Sequence, residues 1–390
     1  MRLKSMLLLG AFVIGNATLV LGQGAPVGAA VKPKKKEQRA LEEFKGKLEG
    51  KIAWSSSRSN RLHDIWIMNA DGTDKTQLTK SNNVDWFSRF SPDGGRVTFA
   101  RSKMGWVKEM DAKFYDKWDV WMVNVDGSDE KKIVEDACWA NWIGDNEISF
   151  ARGGKVFTKD LGSGEEELLW DAEEAIKKGT IAQQPQLAPN RKFLAATLRG
   201  SSRETGIWNF EKKEWYTMGG GCQINWFPSS EEVFRMNEVS YNTSVLRVPI
   251  DENGKPTVKM TGRLRIPKKI VMMDLPGRRT HEYFPKLDQE GEWMVWCATA
   301  KGHDHDIYDY EVYVWKIGDD IKKGPVRLTF HSGNDRWPDI FLGKASAPAP
   351  APEPAPEPAM EEESRDDDTD AMEEDAPDSE ESDMDIDMDM

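Results

Sequence analysis

Five histidines are the side chains in this sequence best suited to chemistry. The densest group is His303-Asp304-His305-Asp306, and the others are His63, His281 and His331. Imidazole and carboxylate ligands together suit Zn²⁺ or Mn²⁺. One hypothesis is therefore a divalent metal held by His281, His303, His305 and His331. The alternative is that these are polar loop residues, one of which tethers a strand.

A second candidate set consists of arginine and tryptophan, the residue types that dominate binding hot spots. In the fold derived below, the face that holds the histidines should also carry these residues: Arg58, Arg61, Trp86, Trp106, Arg278, Arg279 and Arg336. They predict a mildly basic, aromatic-lined depression suited to an acidic peptide or an acidic sugar. For Trp86 and Arg336, packing between structural units is the alternative.

Several other chemistries have no motif in the chain. The sequence contains no Gly-x-Ser-x-Gly nucleophile elbow, no Walker-type phosphate loop and no Cys-x-x-Cys pair. Cys138, Cys222 and Cys297 lack metal-ligand spacing and are predicted to be buried free thiols. Basic residues are too sparse to predict nucleic-acid binding. The sequence therefore assigns no catalytic residue and, apart from the metal hypothesis, no cofactor.

A repeated unit must position the candidate side chains. In its first copy, Lys51–Ser55 and Asp64–Asn69 are strands, and Asp71-Gly72 supplies the positive φ of a hairpin turn. A further strand at Trp86–Phe90 ends in the turn Pro92-Asp93-Gly94. Further copies begin near Arg96, Glu147, Gln186, Gln223 and Tyr283.

Units of about 40–60 residues with four strands predict an all-β, six-bladed β-propeller. The first unit lacks its innermost strand, and the last apolar strand of the chain is Trp337–Leu342. We therefore expect this C-terminal strand to complete blade one and leave no long free edge. Insertions are predicted at 103–118, 171–184 and 259–281, with a helix over Asp171–Lys178 whose N-cap is Asp171.

One stretch carries a family resemblance. The run Asp64-Ile-Trp-Ile-Met-Asn-Ala-Asp-Gly-Thr73, followed by Gln77-Leu-Thr79 and Phe90-Ser-Pro-Asp-Gly94, resembles the TolB-like β-propeller repeat. The resemblance covers residues 51–342, the propeller alone, because residues 31–50 are too few for the α/β domain that precedes the propeller in TolB. It implies the fold. It also implies a possible enzyme, since some TolB-like propeller lyases hold a metal on this face.

The two ends of the chain differ from the repeat in composition. Residues 1–25, with Arg2, Lys4 and an apolar run from Met6 to Val13, predict a signal peptide, an uncleaved anchor being the alternative. Residues 26–50 predict a Lys-rich solvated spacer ahead of the propeller at 51–343. Residues 344–390 predict a Pro/Ala linker and a disordered acidic tail.

Charge is concentrated in that tail. The formal net charge is −14, and residues 345–390 contribute −18, which leaves +4 for the rest of the chain. A solubilising role, weak cation binding, docking to a basic partner, and competition with ligands for the basic loops are the open interpretations.

Together these features predict a monomeric, exported, periplasmic or secreted protein that presents a loop face to a protein or peptide partner, with an acidic partner favoured. They predict no nucleic-acid partner and no stable membrane span after signal cleavage. The alternative is a metal-dependent lyase or hydrolase that acts on acidic polysaccharide through the histidines of the same face. A purely structural envelope component is the third possibility.

Overall fold

The computed structural model of the chain describes residues 28–59, 61–109, 115–200, 203–239, 242–258, 267–277, 279 and 281–345. The predicted signal peptide, residues 346–390 of the predicted linker and tail, and Arg278 lie outside the described residues. Within the described part of the chain, no helix is long and apolar enough to cross a membrane.

Six four-stranded antiparallel sheets form the six-bladed β-propeller that the repeat predicts. Blades one to three contain β1 (Gly50–Ser56), β2 (Asp64–Asn69), β3 (Thr76–Gln77) and the C-terminal β24 (Asp335–Leu342); β4 (Asp85–Phe90), β5 (Arg96–Ser102), β6 (Trp118–Asn124) and β7 (Lys131–Val134); and β8 (Cys138–Trp142), β9 (Glu147–Arg152), β10 (Lys155–Asp160) and β11 (Glu166–Asp171). Blades four to six contain β12 (Ile181–Leu187), β13 (Phe193–Arg199), β14 (Glu204–Asn209) and β15 (Glu214–Gly219); β16 (Cys222–Trp226), β17 (Glu232–Val239), β18 (Asn242–Pro249) and β19 (Val271–Met273); and β20 (His281–Leu287), β21 (Trp293–Thr299), β22 (Glu311–Lys316) and β23 (Val326–Arg327).

The ring closes as the sequence predicts. β24 is the innermost strand of blade one and pairs antiparallel with β1, with Ile52 opposite Ile340 and Lys51 opposite Phe341. The first and last strands of the propeller are thus joined by backbone hydrogen bonds, and neither is left as a free edge.

Every innermost strand carries the same β-bulge. One residue in each has a positive φ of 52–62°: Phe87, Trp139, Gln184, Gln223, Phe284 and Trp337. At that point the strand contains one more residue than its partner. A left-handed non-glycine residue costs about 1 kcal/mol or more, so the surrounding packing must hold each one in place. The next residue is proline in three blades (Pro185, Pro285 and Pro338), which a bulge tolerates because it interrupts the ladder.

The segment before the propeller is packed against it, which corrects the predicted solvated spacer. α1 (Lys35–Phe44) buries Phe44, whose ring lies 6.0 Å from that of Trp293 in blade six. Glu37 pairs with Arg327 of blade six at 3.3 Å, and Asp71 of blade one accepts a 2.8 Å hydrogen bond from the Gly46 amide. The segment therefore spans the junction between the last blade and the first, because its apolar face finds a partner that composition alone does not reveal.

All three predicted insertions contain some regular structure, which in 103–118 is a 3₁₀ turn at Tyr115–Lys117. Asp171 caps α2 (Ala172–Ala175), accepting hydrogen bonds from the amides of Glu173 and Glu174, so the predicted N-cap is confirmed on a shorter helix. The insertion at 259–281 contains β19, the outer strand of blade five. Blade five therefore extends beyond Val258, where the repeat places its end.

Candidate functional site

All five histidines lie at one end of the propeller, as the sequence predicts. We call this end the upper face; it is formed by the loops that join the second and third strands of each blade and by the loops that lead into the next blade. His63 precedes β2, His281 begins β20, His303 and His305 lie between β21 and β22, and His331 lies between β23 and β24.

Four aromatic side chains from the bulge positions fill the propeller axis beneath the upper face. We call Phe87, Trp139, Phe284 and Trp337 the aromatic plug. Trp337 lies 4.1 Å from Phe284, 5.0 Å from Phe87 and 5.5 Å from Trp139, measured between ring centroids. Because each ring is at most 2% exposed, the plug provides a closed floor for any ligand bound above it.

Trp86 and Arg336, which the sequence offers as ligand contacts, lie inside the propeller. Both are fully buried, and the Arg336 guanidinium lies 4.7 Å from the Trp86 ring, which stacks on Trp118 at 4.5 Å. Arg336 Nη1 donates to Asp306 Oδ1 at 2.9 Å and to the His305 carbonyl at 3.0 Å. These contacts match the packing alternative, in which Arg336 joins the closing strand to a loop of blade six.

Three of the four histidines proposed as metal ligands surround Tyr283. The rings of His281 and His303 are 4.5 Å apart, the Tyr283 hydroxyl lies 2.6 Å from His303 Nδ1, and the His305 ring lies 4.1 Å from the Tyr283 ring. His305 Nδ1 lies 2.9 Å from Glu109 Oε1, in the insertion of blade two.

The remaining two histidines have other partners. His331 accepts a hydrogen bond from the Gly333 amide at 3.1 Å and forms a backbone bridge with Ala30. His63 is completely buried beside Ser55, and burial together with the nearby Arg336 charge holds its pKa well below the usual range. No group of three or more His, Cys, Asp and Glu side chains in the described ranges is arranged to hold a metal ion.

The other predicted arginines differ in their partners. Arg58 lies 5.0 Å from the Trp66 ring and donates to Asp335 Oδ2 at 2.6 Å. Arg279 Nη1 donates to the backbone carbonyls of Ala298 and Asp309. Arg61 is exposed. The half-buried Trp106 lies 6.1 Å from the His63 ring, so it belongs to the same region of the face.

Arg58 also borders a cleft of about 440 Å³ between α1 and blade one. Apolar side chains of Leu41, Leu328 and Phe330 line the cleft beside the cations Lys32 and Lys75. Burial and the nearby Arg58 charge lower the pKa of Lys75. The cleft is therefore mixed in character, because the carboxylates of Glu42 and Asp71 line it together with these cations.

Sequence reasoning missed two arginines of the upper face, Arg199 and Arg203, which we call the arginine pair. They flank the loop between β13 and β14 in blade four; Arg199 is partly buried and Arg203 is exposed. Burial and the charge of Arg203 lower the pKa of Arg199, whereas the charge of Glu109 acts in the opposite direction. Among the described residues, no carboxylate oxygen lies within 4.0 Å of either side chain.

A third arginine lies beneath the pair. Arg235 is 2% exposed, and burial lowers its pKa to about 10. Its Nη1 donates to the Gly220 carbonyl at 2.5 Å, and its Nε has no hydrogen-bond partner in the described part of the chain. The turn between β15 and β16 covers Arg235. Glycine at position 221 makes this possible, because a Cβ there would lie 2.1 Å from Arg235 Nη1. Burial raises the pKa of the nearby Cys222 thiol, and the charges of Arg203 and Arg199 act in the opposite direction.

The arginine pair could have been found from the sequence. His303 and His305 are placed on the upper face because they lie between the second and third strands of a blade. The same rule applies to the segment from Arg199 to Arg203 in blade four. What the sequence does not show is that these arginines lack acidic partners, since that depends on the neighbouring blades.

Comparison with known proteins gives structural likeness only. No protein-family model matches the chain, and no curated protein matches it. Among similar solved structures, TolB from Acinetobacter baumannii is 10% identical, with a TM-score of 0.44, over 71% of this chain and 78% of that one. A putative TolB from Agrobacterium tumefaciens is 10% identical, with a TM-score of 0.48, over 74% and 92%. An oligogalacturonate lyase in complex with manganese is 9% identical, with a TM-score of 0.41, over 66% and 72%.

At such identities these likenesses concern the fold alone. The six four-stranded sheets show that the chain is a six-bladed β-propeller, as its repeat predicts.

Proposed function

We propose that this protein is an exported, non-catalytic binding module, periplasmic or secreted, whose upper face holds an acidic peptide segment of a partner protein. The arginine pair is the observation that carries this proposal. A guanidinium group forms planar, bidentate hydrogen bonds with a carboxylate, which makes arginine well suited to recognise aspartate and glutamate side chains.

The pair stands out against the other arginines of the same face. Arg58 contacts Asp335 at 2.6 Å, Arg336 contacts Asp306 at 2.9 Å, and Arg279 lies 3.4 Å from Asp309. Those charges are already neutralised within the protein. Arg199 and Arg203 instead repel each other, so a bound carboxylate would both pair with them and relieve that repulsion.

A peptide fits this face better than a sugar. The Trp86 ring, which could have stacked on a sugar, is fully buried under Arg336. The aromatic plug below it is likewise covered. Charge and hydrogen bonding therefore dominate the accessible chemistry around the arginine pair, and these suit acidic side chains on an extended peptide.

Fluorescence anisotropy with a labelled oligoglutamate peptide tests the proposal. We expect the double variant Arg199→Gln/Arg203→Gln to bind at least about tenfold more weakly, because each hydrogen bond to a charged group is worth about 1.5 kcal/mol or more. The matched control is Arg191→Gln/Lys192→Gln, which removes the same charge from the exposed β12–β13 loop on the opposite face.

Equal weakening in both variants would mean that only net charge matters and would overturn the proposal. Unchanged binding in the Arg199/Arg203 variant would do the same. If a galacturonate oligomer, and not the peptide, binds through the pair, the ligand class is wrong although the site is right.

The lyase alternative is supported by one observation, the grouping of His281, His303 and His305 around Tyr283. Elemental analysis of the purified wild-type protein and of His303→Ala/His305→Ala separates the two functions. A stoichiometric metal in the wild type that is lost in the variant would favour the enzyme over the binding module.

A further inference from the structure

A ring of six polar side chains lies below the aromatic plug, on the side away from the upper face. Each innermost strand contributes the residue two positions after its bulge residue, so all six blades take part at the same level. We call this set the lower ring: Arg89, Asn141, Gln186, Asn225, Lys286 and Asp339.

The contacts across the ring show that these side chains face the axis. Gln186 Nε2 donates to Asn141 Oδ1 at 3.0 Å, between blades four and three. Lys286 Nζ of blade six donates to Asn225 Oδ1 at 2.7 Å and to Gln186 Oε1 at 3.3 Å. These residues lie as far apart as 100 positions in the chain, and only closure of the ring brings them together.

The lower ring remains in contact with solvent. Five of its members are 5–9% exposed, and Lys286 is more exposed than these. A water-sized species therefore reaches the ring, whereas the plug closes the axis above it.

The charges of the ring do not balance. Arg89 and Lys286 are cationic, Asp339 is the ring's one carboxylate, and its Oδ2 already accepts a 2.8 Å hydrogen bond from the Phe90 amide. Among the described residues, no carboxylate oxygen lies within 4.0 Å of either cation. Arg89 is 5% exposed, its guanidinium lies 3.8 Å from the Phe87 ring of the plug, and its Nε has no partner in the described ranges. Burial and the Arg89 charge also hold the pKa of Lys286 well below its usual range, although the Asp339 charge acts in the opposite direction.

We propose that the lower ring binds a small monovalent anion, a halide or the carboxylate group of a small ligand, through Arg89 and Lys286, the cations of the two blades that flank Asp339. With Lys286 protonated, the ring holds one more cation than carboxylates, and one bound negative charge would offset that excess. The amide side chains hold Lys286 in position through Asn225 and Gln186. This site is separate from the arginine pair and from the proposed function of the upper face.

Crystals of the full-length protein grown or soaked in bromide give the direct test. We expect an anomalous difference peak on the axis within hydrogen-bonding reach of Lys286 Nζ and Arg89. A map with bromide bound elsewhere and none in the lower ring would contradict the proposal.

A measurement in solution gives a second test and separates the two kinds of anion. At constant ionic strength, replacement of gluconate by chloride or by acetate should raise the Tm, by roughly 2 °C when the anion is well above its Kd. A response to chloride alone indicates a halide site, and a response to acetate indicates a carboxylate site. No response to either anion would overturn the proposal.

Variants connect that response to the ring. Lys286→Gln retains an amide that can bond with Asn225 and should abolish the anion-dependent rise in Tm; Arg89→Gln serves as the second variant if the first does not fold. Lys178→Gln, a matched loss of one positive charge at an exposed residue outside both proposed sites, should retain the rise. A rise that persists in both ring variants would show that the anion binds elsewhere.

Discussion

The buried carboxyl group of Glu282 should make this protein less stable as the pH rises. Glu282 lies on β20 and is completely buried. Its Oε1 accepts a 2.8 Å hydrogen bond from the Leu275 amide, and its Oε2 lies 2.9 Å from Thr243 Oγ1. The Thr243 hydroxyl donates its own proton to the Glu282 backbone carbonyl at 2.9 Å. Its oxygen can therefore accept a hydrogen bond from the protonated Glu282 carboxyl group. The geometry thus suits the neutral acid.

The magnitude follows from the shift in pKa. Burial raises the pKa of Glu282 from 4.5 to about 8, and the nearby Asp274 charge acts in the same direction. The folded state therefore holds a proton that the unfolded state releases above pH 4.5. The contribution of Glu282 to stability is therefore largest below pH 4.5 and is lost as the pH rises toward 8. At pH 7, which lies 2.5 units above the unfolded pKa of 4.5, the free energy of unfolding is lower by about 3 kcal/mol than it would be at pH 4.5 for this group alone.

Glu282→Gln should remove this dependence. Its amide can accept from Leu275 and donate to Thr243 at every pH, so we expect the variant to be more stable than the wild type at pH 7 by up to about 3 kcal/mol. At pH 4.5 the advantage should nearly vanish. Urea unfolding followed by tryptophan fluorescence at several pH values between about 4.5 and 8 measures the difference.

The exposed Glu290→Gln in the same blade is the control, and its difference from the wild type should stay small and constant. A Glu282→Gln variant less stable than the wild type at pH 7, or a difference that does not change with pH, would refute the reasoning. Either result would mean that Glu282 is ionised in the folded protein and that its hydrogen bonds compensate for burial.

Three further predictions concern the closure and the axis of the ring. A chain that ends before Arg336 lacks most of β24 and should lose its cooperative unfolding transition; an unchanged calorimetric transition would contradict closure by this strand. Trp337→Ala removes the ring that contacts three others in the aromatic plug. It should lower the free energy of unfolding, measured with denaturant, by about 3–5 kcal/mol. A loss below about 1 kcal/mol would show that the plug is loosely packed. Phe44→Ala should cost about 3 kcal/mol and leave α1 open to limited proteolysis, and equal protease resistance in the variant and the wild type would argue against its docking role.

The blades could be predicted because their signals are local. Asp71-Gly72 and Pro92-Asp93-Gly94 define turns within a few residues, and strands such as Asp64–Asn69 repeat at blade spacing. The final apolar strand was then left without a partner, which is why the closure with β1 followed from counting strands. The shared face of the five histidines followed from the same topology.

Burial and pairing on that face could not be predicted in this way. Arg336 lies at the start of an innermost strand, and the sequence is compatible with either an exposed or a buried side chain there. The contacts that bury it come from Asp306 in another blade and from the Trp86 ring. The repeat gives no information about these contacts, because they join loops that are remote in sequence. The absence of acidic partners from the arginine pair depends on neighbouring blades in the same way.

The sequence by itself determined the number of blades, their turns and the end of the propeller at which the polar loops gather, since each depends on residues close together in the chain. Only the tertiary structure decided what faces the axis. The bulge in each innermost strand re-aims the side chains around it, and the closed ring brings Lys286 into contact with Gln186 across 100 residues. The aromatic plug and the lower ring exist only after closure, because six separate strands contribute to that short length of the axis.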